Sequence, residues 1–262
     1  MALKEMGFWD HVDALRTVLL RGAGVVVFFM ALFFAVMPEL FDRVILAPCR
    51  PDFCLYTFLD RVGGVIDPVR SEVELINIEL ASQFFIHLSA SFWLAMVASF
   101  PILIYLLWSF VAPGLYDSEK RGAVPAFTAG IVMFFAGVAC GYFLVFPLTL
   151  RFLADYRLSD MIPNRISLTS YMDNFMMLIL IMGIIFELPV VAWLLGKARL
   201  LHRGIFERYR RHAIVALLVL AAVVTPTGDP FTLTVVFLPI YLLWEVSALV
   251  VPSPRKIQPV ET

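Results

Sequence analysis

Residues 110–125 read FVAPGLYDSEKRGAVP. One long apolar run stops at Ala112 and another begins after Arg121, with a short polar segment between them. A helix needs ~20 predominantly apolar residues to cross ~30 Å of hydrocarbon, and both flanking runs are long enough. The stretch is therefore a tight turn between two membrane spans. Within it, Asp117 and Glu119 stand beside Lys120 and Arg121, an unusual concentration of charge for so short a connector.

The whole chain has the same character. Its 262 residues are 61% hydrophobic and 16% charged, with a mean hydropathy of +0.89. Soluble domains are roughly 45–50% apolar and about 25% charged. The chain reads as an integral membrane protein. Its net charge of −1 argues against nucleic acid as a partner. The N-terminus, MALKEMGFWDHVDALRTVLLRG, carries acids ahead of the first apolar run and lacks a small-residue cleavage site. It does not read as a removable signal peptide.

Working outward from the turn, apolar runs predict six transmembrane helices at about 19–37, 85–112, 123–148, 171–196, 213–225 and 231–251. Six is even, so both termini lie on one side of the membrane. Of the 20 Lys and Arg residues, 13 fall in the segments on the terminal side and 7 on the other. The positive-inside rule places both termini in the cytoplasm. The fifth span contains only AIVALLVLAAVV, 12 residues, which rise about 18 Å as a helix. Such a segment is re-entrant, buried in a bundle, or set in a locally thinned membrane. The sequence TPTGDP, 225–230, then reads as the hairpin between two short spans.

The segment from 38 to 84 is too long for a simple connector and reads as an extracytoplasmic cap. In it Ile76, Ile78 and Leu80 alternate with Asn77 and Glu79, as in an extended, half-buried piece. Of the three cysteines, Cys140 lies in an apolar run and reads as a packing residue. Cys49 and Cys54 are close together in the cap, where a local disulfide or two separate thiols are the alternatives.

Acids within spans cost roughly 2.5 to 3.5 kcal/mol at a helix centre and are functional candidates by default. Glu187, in GIIFELPVV, lies deep in the fourth span; Glu245, in YLLWEVSALV, lies in the sixth. The structural alternative for Glu187 is a protonated carboxyl bonded inside the bundle, and for Glu245 a carboxylate reaching the interface. Asp173 reads as support for a helix N-terminus, and Asp229 as a turn residue. Prolines at 101, 147, 189 and 239 interrupt the spans. Each removes a helical hydrogen bond and kinks its helix, so the helices should form a curved bundle whose groove has Glu187 on its wall. No HExxH zinc pair, GxSG serine turn or phosphate-binding P-loop is present, and His11, His87, His202 and His212 lack ligand spacing. The sequence therefore predicts no metal site, no cofactor and no enzyme.

Several pieces together resemble the TatC family, the multispanning component of the twin-arginine protein translocase. They are HVDALR at 11–16, AP at 47–48, FPILIYLLWSFVAPGLYDSEKR at 100–121, GYFLVFPLTLRFL at 141–153, FELPV at 186–190 and TPTGDPFT at 225–232. The loop motif is specific, and the pieces occur in the family's order across nearly the whole chain. The resemblance implies a receptor in a bacterial-type cytoplasmic membrane that binds twin-arginine signal peptides for export of folded proteins, driven by proton-motive force. Its partners would be single-span TatA/TatB-type subunits, further copies of itself and the lipid bilayer.

By position, Phe110 and Glu119 match loop residues that contribute to signal-peptide recognition in the family. A guanidinium favours a carboxylate that accepts two parallel hydrogen bonds, which gives Glu119 a reason to stand in the turn. The family's N-terminal motif has Glu directly before LR, where this chain has Ala14. Asp13 is the favoured replacement; Asp10, one helical turn before Ala14, is the other. Pro48, Glu187 and Asp229 match positions associated with transport, Glu187 on a membrane-embedded face where a partner helix could place a polar group. The rival reading is a proton-coupled secondary transporter or channel that uses Glu187 and Glu245 as intramembrane carboxylates.

Overall fold

The computed structural model describes residues 8–63, 73–111, 117–159, 161, 164–197, 200–225 and 228–251. Hydrocarbon offers no water to a backbone N–H or C=O, so a spanning segment must satisfy its polar groups internally. The described chain is accordingly almost all helix. Its helices are α1 (Phe8–Leu40), α2 (Cys54–Gly63), α3 (Ser82–Val111), α4 (Asp117–Cys140), α5 (Phe146–Asp155), α6 (Leu168–Ile185), α7 (Leu188–Lys197), α8 (Arg203–Val224) and α9 (Pro230–Val250).

Among the described residues, five helical runs are long and apolar enough to cross a membrane: Val12–Arg61, Ser82–Phe110, Pro125–Asp155, Leu168–Lys197 and Pro230–Val250. They coincide with five of the six expected spans to within two residues wherever an expected bound falls outside a run. The sixth, 213–225, occupies the C-terminal half of α8, whose first half carries Arg203, Glu207, Arg208, Arg210 and Arg211. The apolar half alone is too short to count by the same measure, in keeping with a short span.

The chain divides into two compact units. The first comprises Met1–Ala47, Ile76–Ile131 and Ser167–Met172, and its main contact is α1 packed along α3. Pro38 inside α1 has no N–H, so the carbonyl of Phe34, four residues earlier, loses its helical donor. His87 of α3 supplies one: its Nε2 lies 2.9 Å from the Phe34 oxygen, and its ring stacks on the Phe34 ring with centroids 4.0 Å apart. After Leu40 the helix widens into one π-turn, Phe41–Ile45, closed by Leu46 N–H donating to the Phe41 carbonyl at 2.9 Å. The Tyr171 hydroxyl donates to the Ile45 carbonyl and fixes the end of that turn.

The second unit comprises Pro48–Leu75, Val132–Ile166 and Asp173–Thr262. Small residues let two of its helical segments touch, as is common where helices associate in lipid. A Cβ on Gly137 would lie 2.5 Å from the Met182 carbonyl oxygen, and one on Gly141 3.0 Å from the Ile179 Cα. The reciprocal position, Gly183, faces Phe134 at 2.8 Å. A π-turn at Gly141–Val145 then leads into α5, where Pro147 again lacks an N–H. Elsewhere α7 and α8 pack on α9, while α5 meets α9 through stacked Phe152 and Phe231 rings 4.1 Å apart.

One expectation for the cap is corrected. Among the described residues, extended structure is confined to a two-residue strand, β1 (Leu75–Ile76), paired with β2 (Ile166–Ser167), while Ile78 and Leu80 are exposed. Alternation continued past the residues that had a partner strand. Of the two alternatives left open for Cys49 and Cys54, the structure has separate thiols: Cys49 is buried and closes a 3-10 turn, Ala47–Cys49, and Cys54 is exposed and opens α2.

Candidate functional site

Glu187 owes its position to Pro189. The missing proline N–H leaves the Ile185 carbonyl without its helical donor, so α6 ends there. The chain makes a two-residue turn, with Glu187 N–H donating to the Ile184 carbonyl at 3.1 Å. It then restarts as α7, with Val191 N–H donating to the Glu187 carbonyl at 2.9 Å. The side chain is half-buried, and its Oε1 is buried with no hydrogen-bond partner among the described residues. A carboxyl oxygen withdrawn from water costs free energy until a donor meets it. The helix break therefore presents an acceptor in want of a donor.

Pro48 lies buried in the 3-10 turn. The Tyr56 hydroxyl is 2.9 Å from the Pro48 carbonyl oxygen and 3.2 Å from that of Pro147, its single proton shared between two acceptors. The Arg151 guanidinium, on a side chain only 5% exposed, lies 4.7 Å from the Tyr56 ring centroid. A cation over an aromatic face gains more as it is desolvated. Proline, tyrosine and arginine thus tie the start of the cap to α5. This Tyr56–Arg151 contact was not singled out in the sequence. Its only available signal was an arginine inside the apolar FPLTLRFL.

Asp229 is the N-cap of α9. Its Oδ1 accepts from Thr232 N–H at 2.7 Å, Pro230 occupies the first helical position, and Gly228 precedes it at φ 60°. The left-handed conformation there favours glycine, and the cap satisfies one of the helix's open donors. This is the turn role read from the sequence.

At the opposite end of α9, Glu245 meets Arg210 of α8. Arg210 Nη2 is 2.6 Å and its Nε 2.8 Å from one Glu245 oxygen. Hydrogen bonding to Glu245 raises the Arg210 guanidinium above its already high value. Glu245 is thereby an ion-pair partner, a pairing that sequence reading missed.

The expected recognition residues are described in part. Phe110 is half-buried at the penultimate position of α3, and Asp13 is exposed in α1, where its carbonyl accepts from the Thr17 hydroxyl at 2.9 Å. Glu119 is the third residue of α4 and Asp10 lies in the first turn of α1, but both side chains fall outside the described residues. No group of three or more His, Cys, Asp or Glu side chains suited to a metal gathers among the described residues.

Fold and site define a multi-span helical membrane protein with polar groups held at helix breaks and ends. The family profile described as Sec-independent protein translocase protein (TatC) matches residues 10–239. The TatC protein of Blattabacterium sp. subsp. Periplaneta americana (strain BPLAN) is 30% identical over 255 residues, covering 93% of this chain and 94% of that one. That of Helicobacter pylori (strain J99) is 36% identical over 185 residues, covering 69% and 74%. A crystal structure described as the twin arginine translocase receptor TatC superposes with a TM-score of 0.73 at 26% identity, over 92% of this chain and 97% of the other. The same receptor in the detergent DDM gives 0.75, over 92% and 99%. The chain belongs to the TatC family of Sec-independent protein translocase proteins.

Proposed function

We propose that this protein is the receptor subunit of a twin-arginine translocase, set as one membrane domain in a bacterial-type cytoplasmic membrane with both termini in the cytoplasm. The observation that carries the reading is the end-to-end similarity to a structure described as a twin arginine translocase receptor, 92% of this chain at a TM-score of 0.73. A signal peptide docks its two arginines at the cytoplasmic surface on Glu119 and on Asp13 or Asp10, with Phe110 beside them. Single-span TatA/TatB-type subunits assemble along the bundle, and one places a donor on Glu187. Pro48 and Asp229 shape the transport-competent outer ends, several copies of the chain join in one complex, and proton-motive force drives passage of the folded cargo.

The unpartnered Oε1 of Glu187 supports the partner-helix contact, since a donor there would relieve a buried acceptor. The rival transporter needs Glu245 available to carry an ion, and its pairing with Arg210 weighs against that. Peptide binding to the reconstituted protein tests the receptor reading. Losing a bidentate carboxylate contact costs ~1.5–3 kcal/mol, so Glu119→Ala should weaken a twin-arginine peptide roughly tenfold to a hundredfold. Unchanged affinity would remove Glu119 from the site. For Glu187, Glu187→Gln should reduce co-purification of single-span partners; full assembly and export would reject the contact.

A further inference from the structure

The Arg210–Glu245 pair sits in an unexpected place. Glu245 is six residues before Val251, and on α9 it is flanked by side chains suited to hydrocarbon: Leu242 (55% exposed), Val246 and Leu249 (69% exposed). Positions 242, 246 and 249 recur at four and seven residues, so they form one strip along the helix. Alongside, the charged half of α8 brings Arg203 and Arg210 to one face, seven residues or about 10 Å of rise apart. Polar headgroup chemistry and an acyl-facing strip thus meet at the same level, because α8 has only 12 apolar residues to spend on the membrane.

Between the two helices lies a cleft of about 200 Å³ lined by Arg203, Phe206, Glu207, Arg210, Trp244 and Glu245, with Leu249 at its edge. Its floor is a small core in which Phe206 and Trp244 rings lie 4.7 Å apart, packed with Ala192 and Val251. Clefts that enclose a whole small molecule run ~300–1,000 Å³, so this one suits one end of a larger amphiphile. Both arginines keep donors to spare. Arg203 places Nε 3.2 Å from Glu207, and its side chain is 45% exposed; Arg210 turns Nε and Nη2 to Glu245 and is 57% exposed. A guanidinium has five N–H donors in all. With Arg208 and Arg211 on the same half-helix, four arginines outnumber Glu207 and Glu245.

We propose that this cleft binds an anionic phospholipid, Arg203 and Arg210 donating to its phosphate and an acyl chain lying along Leu242, Val246 and Leu249. Basic pockets between transmembrane helices are known to hold anionic headgroups. The strip commits the site to a lipid over a free anion; the cleft's own two arginines and two glutamates balance, and Arg208 and Arg211 on the same half-helix, outside the lining, supply the positive field that favours an anionic over a zwitterionic one. Such a lipid would seat the headgroup layer deep beside the short span. The inference stands apart from the receptor reading, since it needs only the membrane and these two helices.

Native mass spectrometry of the purified full-length protein, titrated with phosphatidylglycerol or phosphatidylethanolamine, tests it. Phosphatidylglycerol should be retained over phosphatidylethanolamine, and Arg203→Gln, which leaves the Arg210–Glu245 link between the helices intact, should cut that retention roughly fivefold. Glu207→Gln, which releases Arg203 from its pair, should raise it. Arg165→Gln, in the separate exposed pair with Glu74, should leave it unchanged. Equal retention of the two lipids, no loss with Arg203→Gln, an equal loss with Arg165→Gln, or displacement by millimolar inorganic phosphate would each overturn the proposal.

Discussion

Replacing Gly137 by alanine should destabilise this protein and disturb Glu187 from a distance. The added Cβ would lie 2.5 Å from the Met182 carbonyl oxygen, 2.7 Å from the Phe186 Cβ and 2.8 Å from the Gly183 Cα. These neighbours cannot rotate away. The Met182 carbonyl is backbone and accepts from Phe186 N–H at 3.0 Å, and a Cβ and a Cα move only with their chain. Ordinary contact starts at 3.4 Å, so the two segments must separate by about 0.9 Å. Overpacking of this kind costs ~1–3 kcal/mol. The displaced segment ends in the Phe186–Glu187 turn, so the carboxyl moves with it. Gly24→Ala is the control: nothing lies within 4 Å of its Cβ, and alanine is favoured over glycine in a helix by ~1 kcal/mol. Thermal unfolding in detergent should show Gly137→Ala several degrees below the parent and Gly24→Ala level with it or above. Equal midpoints for the two variants, with export retained in both, would refute the close-packing argument.

Other substitutions test separate joints. Tyr56→Phe removes the hydroxyl shared by the Pro48 and Pro147 carbonyls while keeping the ring under Arg151; it should lower the unfolding free energy by ~1–3 kcal/mol, and unchanged stability would show the hydroxyl to be dispensable. Asp229→Ala should cost ~1 kcal/mol through loss of the α9 cap, with Asp229→Asn nearly neutral; equal loss in both would point to the charge in place of the cap. His87→Leu keeps an apolar neighbour for Phe34 but leaves the carbonyl exposed by Pro38 without its donor. Hydrogen exchange at the C-terminal end of α1 should quicken, and the double change Pro38→Ala with His87→Leu should restore protection.

Much of this structure is legible in the sequence because the membrane imposes simple lengths. Apolar runs locate the spans, the 12-residue run explains why α8 differs from its neighbours, and Pro189 marks the helix break that carries Glu187. TPTGDP shows its turn through Pro and Gly, and Asp229 its cap through Pro230. What escaped depends on residues far apart. His87 serves Phe34 across 53 positions, and Arg210 finds Glu245 across 35. The glycines at 137, 141 and 183 carry no chemistry of their own, so their meaning appears only when a second helix lies against them. Arg151 was visible as an arginine among apolar residues, but its partner Tyr56 lies in the cap, beyond any local pattern. Local spacing also misled: the alternation through Ile78 and Leu80 had no strand to pair with.

The central claim is recognition of consecutive arginines by Glu119. Photo-crosslinking of a twin-arginine signal peptide and its two-lysine variant to this protein in native membranes, with and without Glu119→Ala, tests it most directly. The account predicts crosslinks with the arginine peptide that weaken with two lysines, which cannot make the same paired hydrogen bonds, and that disappear with Glu119→Ala. Equal crosslinking of both peptides, undiminished by Glu119→Ala, would contradict it.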